Sequence, residues 1–471
     1  MNVKIIPRTL TGTIDAMPSK SHAHRILIAQ KLAQMQAAGQ VQASGQDSLY
    51  IPDFSEDIKA TKNCLVQLDK AMPFLDCKES GSTLRFLLPV VMALKGEAVF
   101  LGTGKLPYRP LSPLKEEMEN HGCLFFTDME NQKISDKYKE ICTVKGGLRP
   151  GEYRLPGNIS SQFITGFLLA LPLLEKDSTL MLTTALESEG YVDLTLDVLK
   201  RFGIRIEEKR SPLGFKQYEI PGNQRYVEPD DLKVEGDWSN SAFWLACGAL
   251  GGDITCRGLS LFSSQKDKDI APILERMGAH LEVTESSDAE NGQMLCSLRC
   301  SGPRIIGSGT DLAGGEYSSS SDSGGGAKTG SGGRSAVSTS LKGTEVNVSQ
   351  MPDLVPVLSS VMALAKGASM ITNAHRLKLK ESDRLDSVYD VLSALGADIT
   401  HGGAGLSITG MPQLEGGEVD GHNDHRIVMA AAVASCGCRN PVIIRGAEAV
   451  RKSYPGFFED FAALGGEVYE I

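Results

Sequence analysis

Residues 79–101, ESGSTLRFLLPVVMALKGEAVFL, contain the pattern that decides the fold of this chain. A short polar turn is followed directly by a predicted apolar helix. The helix ends in VMALKG (91–96), the exit segment, and the strand-like run EAVFL follows it. The exit returns almost unchanged as VMALAKG (361–367), which is again followed by a strand-like run, ASMIT. Two such similar exits, far apart in one chain, indicate an internal repeat.

The polar turn and its helix occur six times. The copies are SKSHAHRILIA, ESGSTLRFLLPVVMAL, GNISSQFITGFLLALPLL, GDWSNSAFWLACGAL, SQMPDLVPVLSSVMALAKG and GHNDHRIVMAAAVAS. A second recurring piece is a helix that closes on a glycine suited to a left-handed cap and leads into a short strand; these glycines are Gly122, Gly203, Gly278, Gly396 and Gly465. A unit of about 70–80 residues, with two helices and several strands, therefore fills the chain when repeated six times.

Six like units divide naturally into two domains of three, because 471 residues exceed what one compact core usually holds. The boundary falls near KVEGDW (233–238), where the fourth copy begins. The long interval between Gly278 and Gly396 contains a Gly/Ser-rich tract that cannot bury enough apolar area to fold. We predict a flexible insertion without catalytic residues at 307–343, and a shorter insertion at 36–54.

Composition limits the classes of function. A net charge of −10 argues against a general nucleic-acid binder but leaves room for small anionic ligands, which respond to local charge. The N-terminal MNVKIIPRTLTG predicts a first strand rather than a signal peptide, and no run of about 18 apolar residues suggests a membrane span. The ten scattered cysteines are typical of reduced thiols, so we expect a cytoplasmic protein.

The polar turns carry cations where a helix start disfavours them. Lys20 and Arg25 lie at the first helix, whose amide dipoles already make that end positive. Serines at such turns act as helix caps in a purely structural repeat, and single lysines or arginines are usually solvated. Basic groups in several of the repeats instead indicate a surface that binds a strongly negative ligand, because like units bring their helix starts to one side of a domain.

Several chemistries lack their motifs. No P-loop and no G-x-S-x-G sequence is present, and HNDHR (422–426) has no second ligand cluster that would make it a metal site. Asp353 and Glu381 are the carboxylates within basic or turn motifs, the first at a helix start and the second among lysine and arginine. Different surroundings of this kind give two carboxylates separate proton-transfer roles.

These motifs together resemble one family. SKSHAHR, SGSTLR, YRP, SSQF, PD, KESDRL, NDHR and KSYPGFF occur in the order found in the 5-enolpyruvylshikimate-3-phosphate synthase (3-phosphoshikimate 1-carboxyvinyltransferase) family of the enolpyruvyl transferase superfamily. The resemblance runs nearly end to end, apart from the Gly/Ser tract. It implies an α/β fold of two similar domains, each of three βαβαββ units, in an inside-out α/β barrel. The domains would be 18–235, mainly on the shikimate 3-phosphate side, and 1–17 with 236–471, which carries the catalytic carboxylates.

The resemblance also implies the reaction. The enzyme would transfer the enolpyruvyl group of phosphoenolpyruvate to the 5-hydroxyl of shikimate 3-phosphate and release phosphate, a step toward chorismate and the aromatic amino acids. No metal or organic cofactor is implied. The expected partners are the two small anionic substrates, with no nucleic acid and no membrane, and the expected state is a monomer.

Site residues follow from the motifs that match. Catalysis is expected of Asp353, which takes the 5-hydroxyl proton, Glu381, which protonates the enol methylene, and Lys20. The shikimate 3-phosphate set is Lys20, Ser21, Arg25, Ser160, Ser161, Gln162, Ser188, Tyr191, Asp353 and Lys380. The phosphoenolpyruvate set is Lys20, Gly81, Arg109, Gln162, Arg384, Arg426 and Lys452.

Some positions depart from the family pattern, and two other functions compete. Glu79 and Arg376 stand where many relatives have asparagine, and His22 and His24 vary the first turn. The alternatives are a transferase acting on UDP-N-acetylglucosamine and a non-catalytic anion-binding protein on the same scaffold. The first usually carries a cysteine in the loop before its RP motif, which LGTGKLPYRP (101–110) lacks. The second would be expected to have lost Asp353, Glu381 or Lys20, and all three are present.

Overall fold

The computed structural model describes residues 1–37, 51–126, 139–287, 294–303 and 341–471. The N-terminal elements are β1 (Asn2–Ile6), β2 (Thr11–Asp15), α1 (Lys20–Ala37) and α2 (Glu56–Gln67). Two similar series follow: β3 (Phe74–Asp76), α3 (Gly81–Leu94), β4 (Glu97–Gly102), α4 (Leu114–Asn120), β5 (Leu124–Phe126) and β6 (Lys139–Lys145), then β7 (Glu152–Leu155), α5 (Ser161–Ala170), β8 (Ser178–Leu182), α6 (Glu189–Arg201), β9 (Glu207–Arg210) and β10 (Lys216–Ile220). Most of the two predicted insertions, 36–54 and 307–343, lies outside the described residues.

The C-terminal half continues the series. It contains α7 (Trp238–Ala249), β11 (Asp253–Leu259), α8 (Ile270–Met277), β12 (His280–Ser287), β13 (Met294–Ser301), β14 (Glu345–Asn347), α9 (Val355–Met362), β15 (Gly367–Thr372), α10 (Arg384–Ala394), β16 (Asp398–Gly402), β17 (Gly405–Gly410), β18 (Gly417–Asp420), α11 (His425–Ser435), β19 (Val442–Arg445), α12 (Phe457–Ala463) and β20 (Glu467–Glu470). None of the described helices combines the length and the apolar character needed to cross a membrane.

Five described sheets share one strand order. In β3-β4-β6-β5, the first pair is parallel and the other pairs are antiparallel, and β7-β8-β10-β9 and β14-β15-β17-β16 repeat this arrangement. A parallel pair requires a crossover connection, which α3, α5 and α9 supply. The predicted α/β fold of repeated βαβαββ units is confirmed.

The N-terminal strands complete two sheets of the C-terminal half. β2 pairs in parallel with β11, and β1 lies between β19 and β20, where Val3 is opposite both Ile444 and Glu470. In the sheet β18-β19-β1-β20, β1 takes the third position, which is antiparallel to both neighbours in the other sheets as well. The chain therefore starts in the half of the molecule in which it ends.

The first unit departs from the pattern. Only residues 68–73 separate α2 from β3, so the two-stranded hairpin that follows the second helix in the other units does not follow α2 in the described chain. Val66 and Phe74, which flank this short connection, expose 64% and 51% of their surface. The shortened connection thus leaves apolar side chains uncovered at this end of the unit.

Two separate hydrophobic clusters form the cores. One draws on residues between Ala23 and Leu232, and the other on residues from Val3 to Leu10 and from Trp238 to Leu464. The chain crosses between them twice at one place, where Pro18 is paired with Gly236. The domain limits inferred from the sequence stay a prediction.

Close packing of α3 against α5 positions one wall of the site. A Cβ on Gly166 of α5 would come within 2.5 Å of the carbonyl oxygen of Arg85 in α3, so only glycine allows this approach. The helices begin at capped turns, where the Ser80 hydroxyl accepts from the Thr83 amide and the Ser160 hydroxyl accepts from the Gln162 amide. The starts of α3 and α5 are therefore held side by side.

Candidate active site

A cavity of about 300 Å³ lies between the two hydrophobic clusters. Residues at the starts of α1, α3 and α5 line one side of it. The opposite side is formed by residues next to the starts of α9, α10 and α11. Helix starts from both halves of the molecule thus converge on one space, an arrangement that favours anions.

All but one of the residues expected from the sequence line this cavity. They are Lys20, Ser21, Arg25, Gly81, Arg109, Ser160, Ser161, Gln162, Ser188, Tyr191, Asp353, Lys380, Glu381, Arg384 and Arg426. Lys452 is not in the lining, because its ammonium donates to Glu79 Oε2 at 2.8 Å and to the Asn423 carbonyl at 2.7 Å. The geometry brings these residues together but assigns them no role by itself.

One buried guanidinium fixes both candidate carboxylates. Arg384, at the start of α10, donates from Nη1 to Asp353 Oδ1 at 2.7 Å and from Nη2 to Glu381 Oε2 at 2.8 Å. Its Nε donates to Asp424 Oδ2 at 2.8 Å, and the side chain is only 1% exposed. Because charge-assisted bonds of this kind hold both partners in fixed positions, the two carboxylates lie at a defined separation across Arg384.

Cations keep both carboxylates ionised. Burial raises the pKa of Asp353, but Arg426 and the other cations around it hold that pKa well below its usual range. Burial likewise opposes ionisation of Glu381, and Arg384 and Arg109 hold its pKa well below its usual range. Lys380 Nζ lies 3.1 Å from Asp353 Oδ1. Two ionised carboxylates among fixed cations can accept protons once ligands screen those cations.

Three arginines in the lining have no carboxylate partner among the described residues. Arg25 donates to Thr195, Thr165 and two backbone carbonyls, and burial lowers its pKa to about 9. Arg85 donates to Gln162 Oε1 and to the Pro110 carbonyl, while its Nε has no partner in the described part of the chain. Within the described ranges, Arg109 donates over 3.4 Å to the Leu379 carbonyl, and its Nε has no partner. Arg25 and Arg85 are buried and Arg109 is half-buried, and cations that contact no carboxylate in such a cavity indicate sites for anionic groups.

Lys20 at the start of α1 does have acidic partners. Its ammonium lies 2.8 Å from Asp57 Oδ2, and its backbone amide donates to Asp237 Oδ2 at 3.0 Å. Both carboxylates offset the positive helix end. Asp57 follows the predicted insertion at 36–54 and belongs to no motif, so no sequence pattern marks it as a site residue.

Ser188 adopts an unusual backbone conformation beside the cavity. Its φ of 54° lies in the left-handed region, which is costly for serine. Arg376 donates to the Ser188 hydroxyl at 2.6 Å and to the Ser349 carbonyl at 2.7 Å, and its Nε contacts Glu187 Oε2 at 2.7 Å. A departure from the family pattern, Arg376, is thus bonded to a residue expected at the shikimate 3-phosphate site.

Some lining residues were absent from the expected set. They are Asp57, Ser82, Arg85, Phe86, Pro110, Ser112, Ile159, Phe163, Arg376, Leu379 and His425. Arg85 and His425 stand inside SGSTLR and NDHR, so those motifs were the signal that could have found them. Phe86 and Phe163 also belong to the hydrophobic core of their half, so no sequence pattern distinguishes their contact with the cavity from core packing.

Comparisons with known proteins identify the family. The model of the EPSP synthase (3-phosphoshikimate 1-carboxyvinyltransferase) family matches residues 5–302 and 324–461. A 3-phosphoshikimate 1-carboxyvinyltransferase of Clostridium perfringens is 38% identical over 488 residues, which covers 99% of each chain. The enzyme of the same name from Clostridioides difficile is 37% identical over 500 residues, covering 100% of this chain and 98% of the relative.

Solved structures agree in fold. EPSP synthase from Acinetobacter baumannii superposes with a TM-score of 0.69 at 22% identity and covers 100% of both chains. The enolpyruvyl transferase NikO from Streptomyces tendae gives a TM-score of 0.65 at 16% identity, covering 99% of this chain and 98% of that one. With the family match and the relatives above 30% identity, the chain belongs to the EPSP synthase (3-phosphoshikimate 1-carboxyvinyltransferase) family.

Proposed function

We propose that this chain transfers the enolpyruvyl group of phosphoenolpyruvate to the 5-hydroxyl of shikimate 3-phosphate and releases phosphate, the step that its relatives' name describes. It is a transferase of the shikimate pathway. The observation that carries the proposal is the set of three cavity arginines, Arg25, Arg85 and Arg109, that lack carboxylate partners in the described chain. Each substrate carries one carboxylate and one phosphate, so together they supply the missing negative charge.

On the shikimate 3-phosphate side, neutral donors and three cations contact the ligand. Ser160, Ser161 and Ser188 hold the phosphate, and Ser21, Arg25, Gln162 and Tyr191 fix the ring and its carboxylate. Lys20, Lys380 and Asp353 complete this set. The proposal is supported by their common position in the cavity lining. Ser160 can serve as helix cap and ligand together, since a hydroxyl has one donor beyond the acceptor used by the Gln162 amide.

On the phosphoenolpyruvate side, cations surround the leaving phosphate. Lys20, Gly81, Arg109, Gln162, Arg384, Arg426 and Lys452 form this set. A Cβ at position 81 would lie 2.7 Å from Arg109 Nη1, so glycine there lets the guanidinium keep its present position. Lys452 is not in the lining and is bonded to Glu79, so we assign it an electrostatic part in this set.

The reaction needs a base at the acceptor oxygen and an acid at the methylene carbon. Asp353 takes the proton of the 5-hydroxyl as its oxygen bonds to C2 of phosphoenolpyruvate, and Glu381 supplies a proton to the methylene. In the elimination the methyl returns its proton to Glu381, the C2–O bond to phosphate breaks, and the cations stabilise the leaving group. Glu381 gains its first proton when substrate anions screen Arg384 and Arg109, which otherwise hold its pKa low.

The finer organisation belongs to the same proposal. The domains are 18–235 and 1–17 with 236–471, supported by two separate hydrophobic clusters that the chain crosses between near Pro18 and Gly236. The enzyme works as a monomer in the cytoplasm, without a cofactor. All ten cysteines are free and buried, which fits a reducing compartment.

Phosphate release from phosphoenolpyruvate tests the function. The full chain is mixed with phosphoenolpyruvate and either shikimate 3-phosphate or UDP-N-acetylglucosamine as acceptor. Release with shikimate 3-phosphate and none with the sugar nucleotide is expected. Turnover with the sugar nucleotide alone would favour the sister transferase, and binding of both substrates without release by either would favour a non-catalytic anion-binding protein.

A further inference from the structure

A second buried carboxylate lies behind Asp353 and has no part in the reaction described above. Asp267 belongs to the 3-10 turn Lys266–Asp269 ahead of α8, and it is only 3% exposed. Its Oδ2 accepts from the Ser239 hydroxyl, but its Oδ1 has no hydrogen-bond partner among the described residues. A buried carboxylate oxygen without a partner is costly, so its retention calls for a physical reason.

One phenol joins the two carboxylates. The Tyr191 hydroxyl donates to Asp353 Oδ2 at 3.0 Å and lies 3.4 Å from Asp267 Oδ2. A phenol has a single proton and can donate to only one of these oxygens at a time. If one carboxyl is protonated, it can donate to the phenol oxygen while the phenol donates to the other. The three groups thus form a path along which a proton can pass.

The two oxygens of Asp353 differ in their partners. Oδ1 is bonded to Arg384 at 2.7 Å and to Lys380 at 3.1 Å, whereas Oδ2 has the phenol and a longer contact of 3.4 Å to Arg426. Protonation of Oδ1 would give up two close cation contacts. Oδ2 is therefore the oxygen that accepts a proton, and it is the one on the path to Tyr191.

We propose that Asp267 stores the proton of the acceptor hydroxyl during turnover, receiving it from Asp353 through Tyr191. The inference rests on the proposed function, because Asp353 contacts the substrate and Asp267 does not. Asp267 acts only through Asp353, so it is a positioning residue and not a catalytic one. The O–H bond of the 5-hydroxyl breaks, its oxygen bonds to C2, and the proton moves to Asp353 Oδ2. Asp353 then passes a proton to the Tyr191 oxygen as the phenol proton moves to Asp267. On elimination the path runs backward, and the proton leaves on the released phosphate.

The charges around Asp267 make this transfer favourable. The groups that face it are Asp353, Arg426, Asp237, Ser239 and Tyr191. Burial and the Asp353 charge raise the pKa of Asp267 to about 6, whereas the cations hold the pKa of Asp353 well below its usual range. A proton on Asp353 therefore moves to the stronger base. This compensates for the weakness of Asp353 as a base when it acts alone.

The test is the pH dependence of turnover in Asp267→Asn, measured on the full chain with phosphoenolpyruvate and shikimate 3-phosphate. The amide cannot accept the proton, so kcat at neutral pH should fall about tenfold or more, with both KM values within about twofold of wild type. The acid limb of the kcat profile, which the store produces in the wild type, should disappear. Tyr191→Phe interrupts the same path, so the double variant should lose little more kcat than Tyr191→Phe alone.

Asp269→Asn, in the same turn, is the matched control and should keep the acid limb. If Asp267→Asn fails to fold, judged by its circular dichroism, the kcat profile of Tyr191→Phe decides in its place, measured at saturating shikimate 3-phosphate because Tyr191 also belongs to the proposed binding set. An acid limb that persists in the folded variant overturns the relay. A wild-type chain that releases no phosphate with shikimate 3-phosphate contradicts the proposed function itself, so the two failures can be told apart.

Discussion

Both proposed catalytic carboxylates depend on a single residue, Arg384. Its guanidinium binds Asp353, Glu381 and Asp424 while being almost fully buried. A buried charge cluster of this kind persists only when every charge has partners, and removal of one partner is strongly destabilising. Replacing a carboxylate around Arg384 by the amide of the same shape is therefore a more informative test of the site than replacing Arg384 itself.

Glu381→Gln should lower kcat by at least about 100-fold, because the amide can neither supply the proton to the methylene nor take it back from the methyl. Binding of shikimate 3-phosphate should change little, since Glu381 does not belong to the set proposed to hold it. Phosphate release gives kcat, and calorimetric titration gives the affinity. Glu459→Gln, at an exposed position of α12, serves as the control, and near-normal turnover of Glu381→Gln would remove its assigned role.

Glu79→Gln should lower the KM for phosphoenolpyruvate about threefold and leave the KM for shikimate 3-phosphate unchanged. Glu79 Oε2 receives the Lys452 ammonium at 2.8 Å and the Asn423 side-chain amide at 3.0 Å, so its charge offsets that of Lys452. Without this charge, Lys452 acts more strongly on the anionic substrate. Steady-state kinetics at two salt concentrations measure the effect, which salt should weaken.

Asp76→Asn provides the comparison for Glu79→Gln, because Asp76 pairs with Lys78 a few residues earlier in the same segment. It should leave both KM values unchanged. A KM for phosphoenolpyruvate that rises in Glu79→Gln would mean that Glu79 positions Lys452 rather than neutralising it.

Sequence motifs predicted which residues belong to the site but not which of them form ion pairs with residues far away in the chain. Lys20, Asp353 and Glu381 stand in short motifs, so their type and place could be read directly. Glu79 was visible only as a departure, because its partner Lys452 lies 373 residues further along the chain. Ion pairs between residues so far apart in the chain form only on folding. The sequence therefore predicts Lys452 at the site, whereas in the structure it pairs with Glu79 and is not in the lining.

At the scale of elements, the site depends on how closely α3 and α5 approach. The two helices carry Arg85 and Gln162, and Arg85 Nη1 donates to Gln162 Oε1 at 2.6 Å. The recurring turn and helix predicted where these helices begin. The short connection after α2 was not predicted, because LDKAMP (68–73) contains no signal that distinguishes a missing hairpin from a loop.

Gly166→Ala should destabilise the protein by about 2 kcal/mol and lower activity, because the new methyl meets the Arg85 carbonyl oxygen at 2.5 Å. The helices must move apart, which displaces Arg85 and Gln162. Gly147→Ala is the matched control, since no atom lies within 4 Å of its added Cβ. Urea unfolding gives the stability of both variants, and equal midpoints would show that the helices yield without cost.

At the scale of the whole molecule, buried histidines couple folding to pH. His22 contacts the crossing between the halves, where the Glu235 amide donates to its Nδ1 at 3.2 Å. His24 is bonded to Thr61 through Nδ1 and has no partner at Nε2 among the described residues, and His425 lines the cavity. Burial lowers the pKa of His22 to about 3 and holds the pKa values of His24 and His425 well below 6.5. All three are neutral in the folded chain at neutral pH.

Stability should therefore fall as the pH drops below about 6.5. There the histidines of the unfolded chain bind protons that the folded chain excludes, so each costs about 1.4 kcal/mol per pH unit. Asp267, Glu235 and Asp237 act in the opposite direction, because burial raises their pKa values and the folded chain then binds protons first. Urea unfolding at pH 7 and pH 5 should show a net loss of about 2 kcal/mol or more.

His24→Gln tests which histidines cause this loss. Glutamine keeps a polar partner for Thr61 and does not titrate, so the loss of stability between pH 7 and pH 5 should shrink by about 1–2 kcal/mol. His401→Gln, at an exposed position on β16, should keep the full loss. A loss as large in His24→Gln as in the wild type would mean that His24 takes up its proton in the folded chain, and that the acid sensitivity arises at His22, at His425 or at the carboxylates of the active site.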